Sequence, residues 1–221
     1  MSDFTVTVDP GHGGKSYRAD GTVWPPFSPQ PEWNEEECTK AYAEHLETAE
    51  LIEDDICLDV AKELVLSLHG LPVAAELTRY EDEQLSLATR AQLAQKHGAD
   101  LVIAIHVNAH AESAVHGADV FRWRLDPRAA EVGQTIADAM PKRLRTGRMH
   151  TVSQYPHWTN RAYNVLEPHY LLHGKPALLV ELCYATNPLD RGFIRTKWGR
   201  SSTVSAIRAG ICRFGELREA A

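Results

Sequence analysis

Two histidines stand where the chain leaves an apolar run. Val6 to Gly14 reads Val-Thr-Val-Asp-Pro-Gly-His-Gly-Gly, so His12 sits where a strand-like segment breaks into a glycine-rich turn. His106 repeats the arrangement at the end of Leu101-Val-Ile-Ala-Ile105. Neutral imidazole is the commonest zinc ligand, and two parallel strands that each deliver a histidine at their C-terminal ends can converge on one ion. A catalytic zinc needs a third protein ligand and an open position for water, and a carboxylate often fills the third place. Glu53 opens an amphipathic helical pattern and could point back to the sheet edge, although spacing alone does not choose it over Glu50, Asp54 or Asp55. Glu181 closes the apolar run Ala177 to Val180. A carboxylate there is costly without a partner, and beside a metal-activated water it would serve as general base and then as proton donor to a leaving nitrogen. A glycine-rich phosphate loop is the rival reading of the first motif, but the G-x-x-x-x-G-K-[ST] pattern is absent. Each histidine alone reads as an ordinary satisfied polar group; the four residues together do not.

These residues need a frame, and the hydrophobic pattern describes one. Strand signals cover Thr5 to Asp9, Val73 to Thr78, Leu101 to His106, Ala118 to Trp123 and Ala177 to Glu181, with helical patterns between them, which is the signature of an α/β domain. The continuously apolar runs before His106 and Glu181 predict central strands covered on both faces. Ile52, Ile56, Val60, Leu64 and Leu68 recur every four residues and define a core-facing helix stripe that stops before Gly70 and Pro72. Further helices are expected from Leu87 to about Gly98, from Ala129 to Leu144 with Pro141 ending or kinking it, and from about Ser202 to Leu217 with Val204, Ile207, Ile211 and Phe214 on one face. Two segments break the rhythm. Residues 15–36 are too rich in proline for a helix or central strand, and residues 146–176 read as irregular, with aromatic and histidine side chains (His150, Tyr155, His157, Trp158 among them) that could hold a sugar or peptide or pack under the loop.

The 221 residues suffice for one such domain with a full core. A net charge of −7 argues against a nucleic-acid partner, which would demand a basic stripe. The charge is concentrated: Glu32 to Asp55 holds ten acidic residues and one basic one, Lys40, and the remainder is net +2. Such a run usually forms a solvated face. Cys38, Cys57, Cys183 and Cys212 are scattered without a C-x-x-C pair, so they form neither a disulfide framework nor a zinc ribbon, and Cys57 and Cys212 are expected as small buried hydrophobes on helices. Nothing reads as an export signal or a transmembrane segment, so the chain is expected to be cytoplasmic as encoded.

In order and spacing these motifs resemble the zinc-dependent N-acetylmuramoyl-L-alanine amidases of the type-3 family, which cleave peptidoglycan. Asp9-Pro-Gly-His-Gly-Gly14 is similar to the family's first ligand motif, Glu53-Asp-Asp-Ile-Cys-Leu-Asp-Val-Ala61 to the helix start that supplies its glutamate ligand, and Ile105-His-Val-Asn-Ala109 to its third ligand motif. Leu77-Thr-Arg79 and Arg90 fall where the family has a strand end and a helix arginine, and Leu179-Val-Glu181 through Asn187 resembles the segment with the catalytic glutamate. The resemblance implies a single three-layer α/β domain with a mostly parallel, mixed sheet of five or six strands. It implies one zinc ion per chain on His12, Glu53 and His106, Glu181 as catalytic base, and a peptidoglycan or muropeptide substrate cut between N-acetylmuramic acid and L-alanine. The implied site of action is the cell wall, in the periplasm or outside the cell.

One departure from the family is the long stretch between His12 and Glu53. This insertion at about residues 15–50 is expected to form a wall of the substrate groove, and the length leaves no room for a wall-binding repeat domain or an export signal, which suits a phage-type lysin or a domain from a longer protein. Residues 146–176 could form a lid. The same metal site would also suit a zinc peptidase or deacylase, or a non-catalytic wall-binding module, although a pure binder has no use for Glu181. Asn108 and Asn187 could orient a ligand or cap loops, and His110 and His116 are weaker ligand candidates because a catalytic zinc site stops at three protein groups.

Overall fold

The computed structural model describes residues 4–13, 53–110, 112–123, 127–152, 166 and 174–219. The insertion at 15–50, Glu50, Cys38 and most of the aromatic segment, including Tyr155, His157 and Trp158, lie outside the described residues. Six strands, β1 (Phe4–Pro10), β2 (Val73–Leu77), β3 (Leu101–Asn108), β4 (Asp119–Trp123), β5 (Met149–Val152) and β6 (Ala177–Tyr184), form one sheet in the order β2-β1-β3-β6-β4-β5. The first four in that order run parallel, whereas β4 is antiparallel to β6 and parallel to β5. The C-terminal ends of β1, β3 and β6 therefore share an edge with the starts of β4 and β5.

Alternation along the central strands builds two cores. Leu101, Ile103 and Ile105 with Leu178, Val180 and Leu182 belong to the larger one, covered by α1 (Glu53–Ser67), α3 (Pro127–Ala139) and α5 (Lys197–Glu219). Val102, Ala104, Ala177 and Leu179 point the other way, into a smaller core with Trp123, Leu166 and Ala94 of α2 (Leu87–Lys96). A fifth helix, α4 (Pro188–Ile194), precedes α5. The first five residues of β3 and the first four of β6 are apolar on both faces; His106 and Glu181 follow them, and the strands run on past the expected ends to Asn108 and Tyr184.

The helix expected from Ala129 runs Pro127–Ala139 and stops just before Pro141, the residue expected to end or kink it. Two expectations need correction. The segment from 146 is not wholly irregular: Met149–Val152 pairs with β4 as an edge strand, too short and polar to announce itself. Cys212 is exposed, unlike Cys57 and Cys183, because it lies off the Val204-Ile207-Ile211-Phe214 stripe that packs inward. Among the described residues no helix is long and apolar enough to cross a membrane.

Candidate metal centre and catalytic edge

The turn after β1 is shaped to offer His12. Gly11 extends the ladder by donating its amide to Ile105 O at 2.8 Å. A Cβ at Gly11 would stand 2.5 Å from the His106 ring, so only glycine allows the two motifs to touch. His12 itself adopts φ 56, a left-handed conformation that turns its imidazole back over the sheet edge, and Gly13 follows at φ 100. His106 projects from β3, and Glu53 reaches the same point from the first turn of α1, where acidic side chains favour the positive end of the helix dipole.

The three side chains meet. Glu53 Oε1 lies 3.3 Å from His12 Nε2 and 3.3 Å from His106 Nδ1, and the Val107 amide donates to that same oxygen at 2.9 Å. Donors bonded to one tetrahedral zinc at about 2.1 Å are separated by about 3.4 Å, so these contacts match the edges of such a polyhedron. Among the described residues this trio is the set of histidines, cysteines and carboxylates close enough to share an ion. Asp55 is exposed and points elsewhere, and Asp54 is buried beside the cluster without joining it. Burial pushes the Glu53 carboxyl upward, but the His12 charge and hydrogen bonds from both imidazoles outweigh it and hold Glu53 well below the usual carboxylate range. Burial pulls His12 down, and the Glu53 charge reverses this to a net rise. The side chain of His12 is 33% exposed against 13% for Glu53 and His106, so the centre opens on the His12 side.

Glu181 occupies the neighbouring place. It stands opposite His106 in the β3–β6 ladder and opposite Asp119 in the β6–β4 ladder, so the three share one row and one face. The two carboxylates have different surroundings. Asp119 accepts from Tyr184 Oη at 2.6 Å, from Arg148 Nε at 2.6 Å and contacts His150 Nε2 at 3.1 Å. Oε2 of Glu181 is buried without a hydrogen-bond partner. Burial, followed by the charges of Glu53 and Asp119, drives the Glu181 carboxyl well above its ordinary pKa. A one-residue irregularity in the ladder beyond His106 helps carry Tyr184 round to Asp119.

The residues that hold this edge together are two arginines whose sequence positions matched the family but whose work was not evident from them. Arg79, 1% exposed, donates from Nε to Pro10 O, from Nη2 to Gly11 O and Asp54 O, and from Nη1 to Glu81 O. Arg90, 4% exposed, pairs with Asp9 Oδ1 at 2.6 Å, donates to Pro10 O at 2.7 Å and also to His12 O. Thr78 Oγ1 completes Asp9 Oδ1 at 2.5 Å. The carbonyls of three successive turn residues and of the residue after Glu53 are thus gripped from inside. Asn108 and Asn187 serve local structure: Asn108 accepts from the Ala109 amide, and Asn187 caps α4 and donates to Ser113 O. His110 and His116 stand outside the trio.

The site is thus a cluster of three candidate donors at a parallel sheet edge of an α/β domain, open on one side and flanked by a carboxylate whose Oε2 is buried without a partner. The family model for N-acetylmuramoyl-L-alanine amidase matches residues 6–213. The chain is 27% identical over 196 residues to the N-acetylmuramoyl-L-alanine amidase AmiA of Salmonella typhimurium, an alignment covering 73% of this chain and 68% of that protein. Its fold is similar to that of the amidase AmiC2 of Nostoc punctiforme, with TM-score 0.69, 22% identity and coverage of 98% and 99% of the two chains. It is also similar to the catalytic domain of the CD27L endolysin, with TM-score 0.65, 14% identity and coverage of 95% and 97%. The chain belongs to the type-3 N-acetylmuramoyl-L-alanine amidase family. It is a peptidoglycan hydrolase that cleaves the amide between N-acetylmuramic acid and L-alanine.

Two consequences can be measured. Arg90→Lys keeps a charge beside Asp9 but cannot bridge the turn carbonyls, and is expected to lower metal affinity by about tenfold or more in a chelator competition. Arg90→Met, which strands Asp9, is expected to cost about 3–5 kcal/mol in urea denaturation. The second concerns Glu181 in metal-free protein. Its folded pKa exceeds the unfolded one, so folding resists ionisation, and stability falls as pH rises above the unfolded value toward the folded one. Glu181→Gln should therefore raise the Tm of metal-free protein at pH 7 and have a much smaller effect near pH 4.

Proposed function

We propose that His12, Glu53 and His106 hold one zinc ion and that Glu181 is the general base of amide hydrolysis, with the chain acting on peptidoglycan at the cell wall. The observation that carries this reading is the convergence of three donors within 4.8 Å of one another, two of the separations 3.3 Å, beside a glutamate one strand away whose Oε2 is buried without a partner. Two neutral imidazoles and one carboxylate suit zinc chemically and leave a position open. When bound, zinc supplies Lewis acidity that acidifies water toward a pKa of about 7 and polarises a carbonyl.

The chain's own residues do the rest. Glu53 stays ionised because the Val107 amide and both imidazoles bind the same oxygen, so it offers a fixed anionic donor. Glu181 has a high proton affinity and no competing partner on Oε2, which are the properties needed to take a proton from attacking water and deliver it to the leaving nitrogen of L-alanine. Asp119, although in the same row, is committed to Tyr184, Arg148 and His150 and cannot serve as base. A cation among the three donors would offset the Glu53 charge that adds to burial in raising Glu181, and would lower its proton affinity.

Zinc-loaded protein incubated with purified muropeptides is expected to separate stem peptide from glycan by mass spectrometry. Glu181→Gln should retain one zinc per chain and lose about 10²–10⁴-fold in rate, whereas His106→Ala should lose metal and activity together. Full activity in Glu181→Gln would refute the assignment of the base.

A further inference from the structure

The row that begins at His106 does not end at Asp119. Arg148 immediately precedes β5 and lies beside Asp119, and its carbonyl accepts the Val120 amide, which extends the β4–β5 contact by one residue. The line His106, Glu181, Asp119, Arg148 therefore crosses β3, β6, β4 and the entry to β5 at the catalytic edge. Neighbouring strands are about 4.8 Å apart, which places Arg148 about 10 Å from Glu181 along the backbone row. His150 is two residues further on and pairs in register with Phe121, against which its ring stacks at 4.7 Å and 20°.

We propose that Arg148 and His150 form a subsite that binds a carboxylate of the peptide half of the substrate. The proposal rests on the hydrolytic reading above, which fixes the direction. A base that returns its proton to the leaving nitrogen has the peptide on its own side of the metal donors, and Arg148 and His150 lie farther out on that side. Extended peptide covers about 3.4 Å per residue, so a carboxylate within the first three residues beyond the scissile amide reaches them.

The two side chains are prepared for such a ligand. Arg148 is 40% and His150 44% exposed, while the Asp119 side chain to which both are tied is 2% exposed. Asp119 spends both oxygens internally, one on Tyr184 and one on Arg148 and His150. It thus acts as a buried anchor, and what faces outward is a guanidinium and an imidazole. Arg148 donates from Nε to Asp119 and from Nη2 to His116 O, and neither bond draws on Nη1. A guanidinium oriented from behind by a buried carboxylate loses little entropy when it pairs with a second one. The flank reinforces this preference: residues 141–150 contain Lys142, Arg143, Arg145 and Arg148 and no acidic residue, in a chain that is acidic as a whole.

The test is calorimetric titration of zinc-loaded protein with a synthetic L-alanyl stem peptide bearing free carboxylates, and with its carboxamide. Wild type should bind the acid about tenfold more tightly than the amide. Arg148→Gln should weaken the acid by about the same factor and leave the amide within twofold, so that the two changes are not additive. His150→Gln, which leaves the Arg148–Asp119 pair in place, should show the same selective loss and serves as the test should Arg148→Gln fail to fold by circular dichroism. Equal affinity of wild type for acid and amide, or an equal loss for both peptides in the variants, overturns the proposal. Hydrolysis is read separately: selective binding without cleavage by wild type would refute the assigned reaction and keep the subsite, while cleavage without selectivity would do the reverse.

Discussion

Two buried guanidiniums, each surrounded by backbone carbonyls, hold together the turn and the helix start that carry the proposed metal donors. A turn that leaves a central strand and bends back through a left-handed histidine exposes its carbonyls to the protein interior, where each requires a donor. Arg79 and Arg90 meet that requirement for Pro10, Gly11 and His12 together. Arg79 also reaches Asp54 O, so the turn carrying His12 and the helix start carrying Glu53 hang from one side chain. Removing Arg90 would leave Asp9 as an uncompensated buried charge as well as loosening the turn, which is why stability and metal geometry are coupled here.

The same economy of partners separates the two carboxylates of the central row. Asp119 and Glu181 face each other across β4 and β6, yet one is saturated by an arginine, a tyrosine and a histidine and the other has an oxygen with no partner. Their proximity matters to both. The charge of Asp119 adds to burial and to Glu53 in disfavouring ionisation of Glu181, and the Arg148 guanidinium and His150 imidazole that bond to Asp119 are turned toward solvent. The carboxylate that is expensive to bury is the one placed beside the His12–Glu53–His106 cluster, which is what the proposed role as base requires.

Much of this was legible in the chain before folding. His12 and His106 stand out because polar residues ending apolar strands are rare, and parallel pairing of β1 with β3 brings them to one edge as expected. Glu181 is visible because a carboxylate follows a run of four apolar residues, although β6 continues three residues beyond it. Glu53 was not separable from its acidic neighbours by spacing, since a helix start can turn several side chains inward; the family resemblance pointed to it, and the position of α1 against β1 and β3 brings it to the two histidines. The edge strand β5 escaped notice because four residues with one paired side carry little periodicity.

The sequence by itself determined the α/β layering and the strands that end in chemistry, because alternation and apolar runs are local properties that survive without knowledge of neighbours. Tertiary structure alone decided how Glu53 reaches the histidines, what the two arginines grip, and which of two facing carboxylates keeps a free oxygen. Those outcomes depend on donors and acceptors separated by 25 to 81 positions in the chain, meeting only when the sheet and helices are assembled.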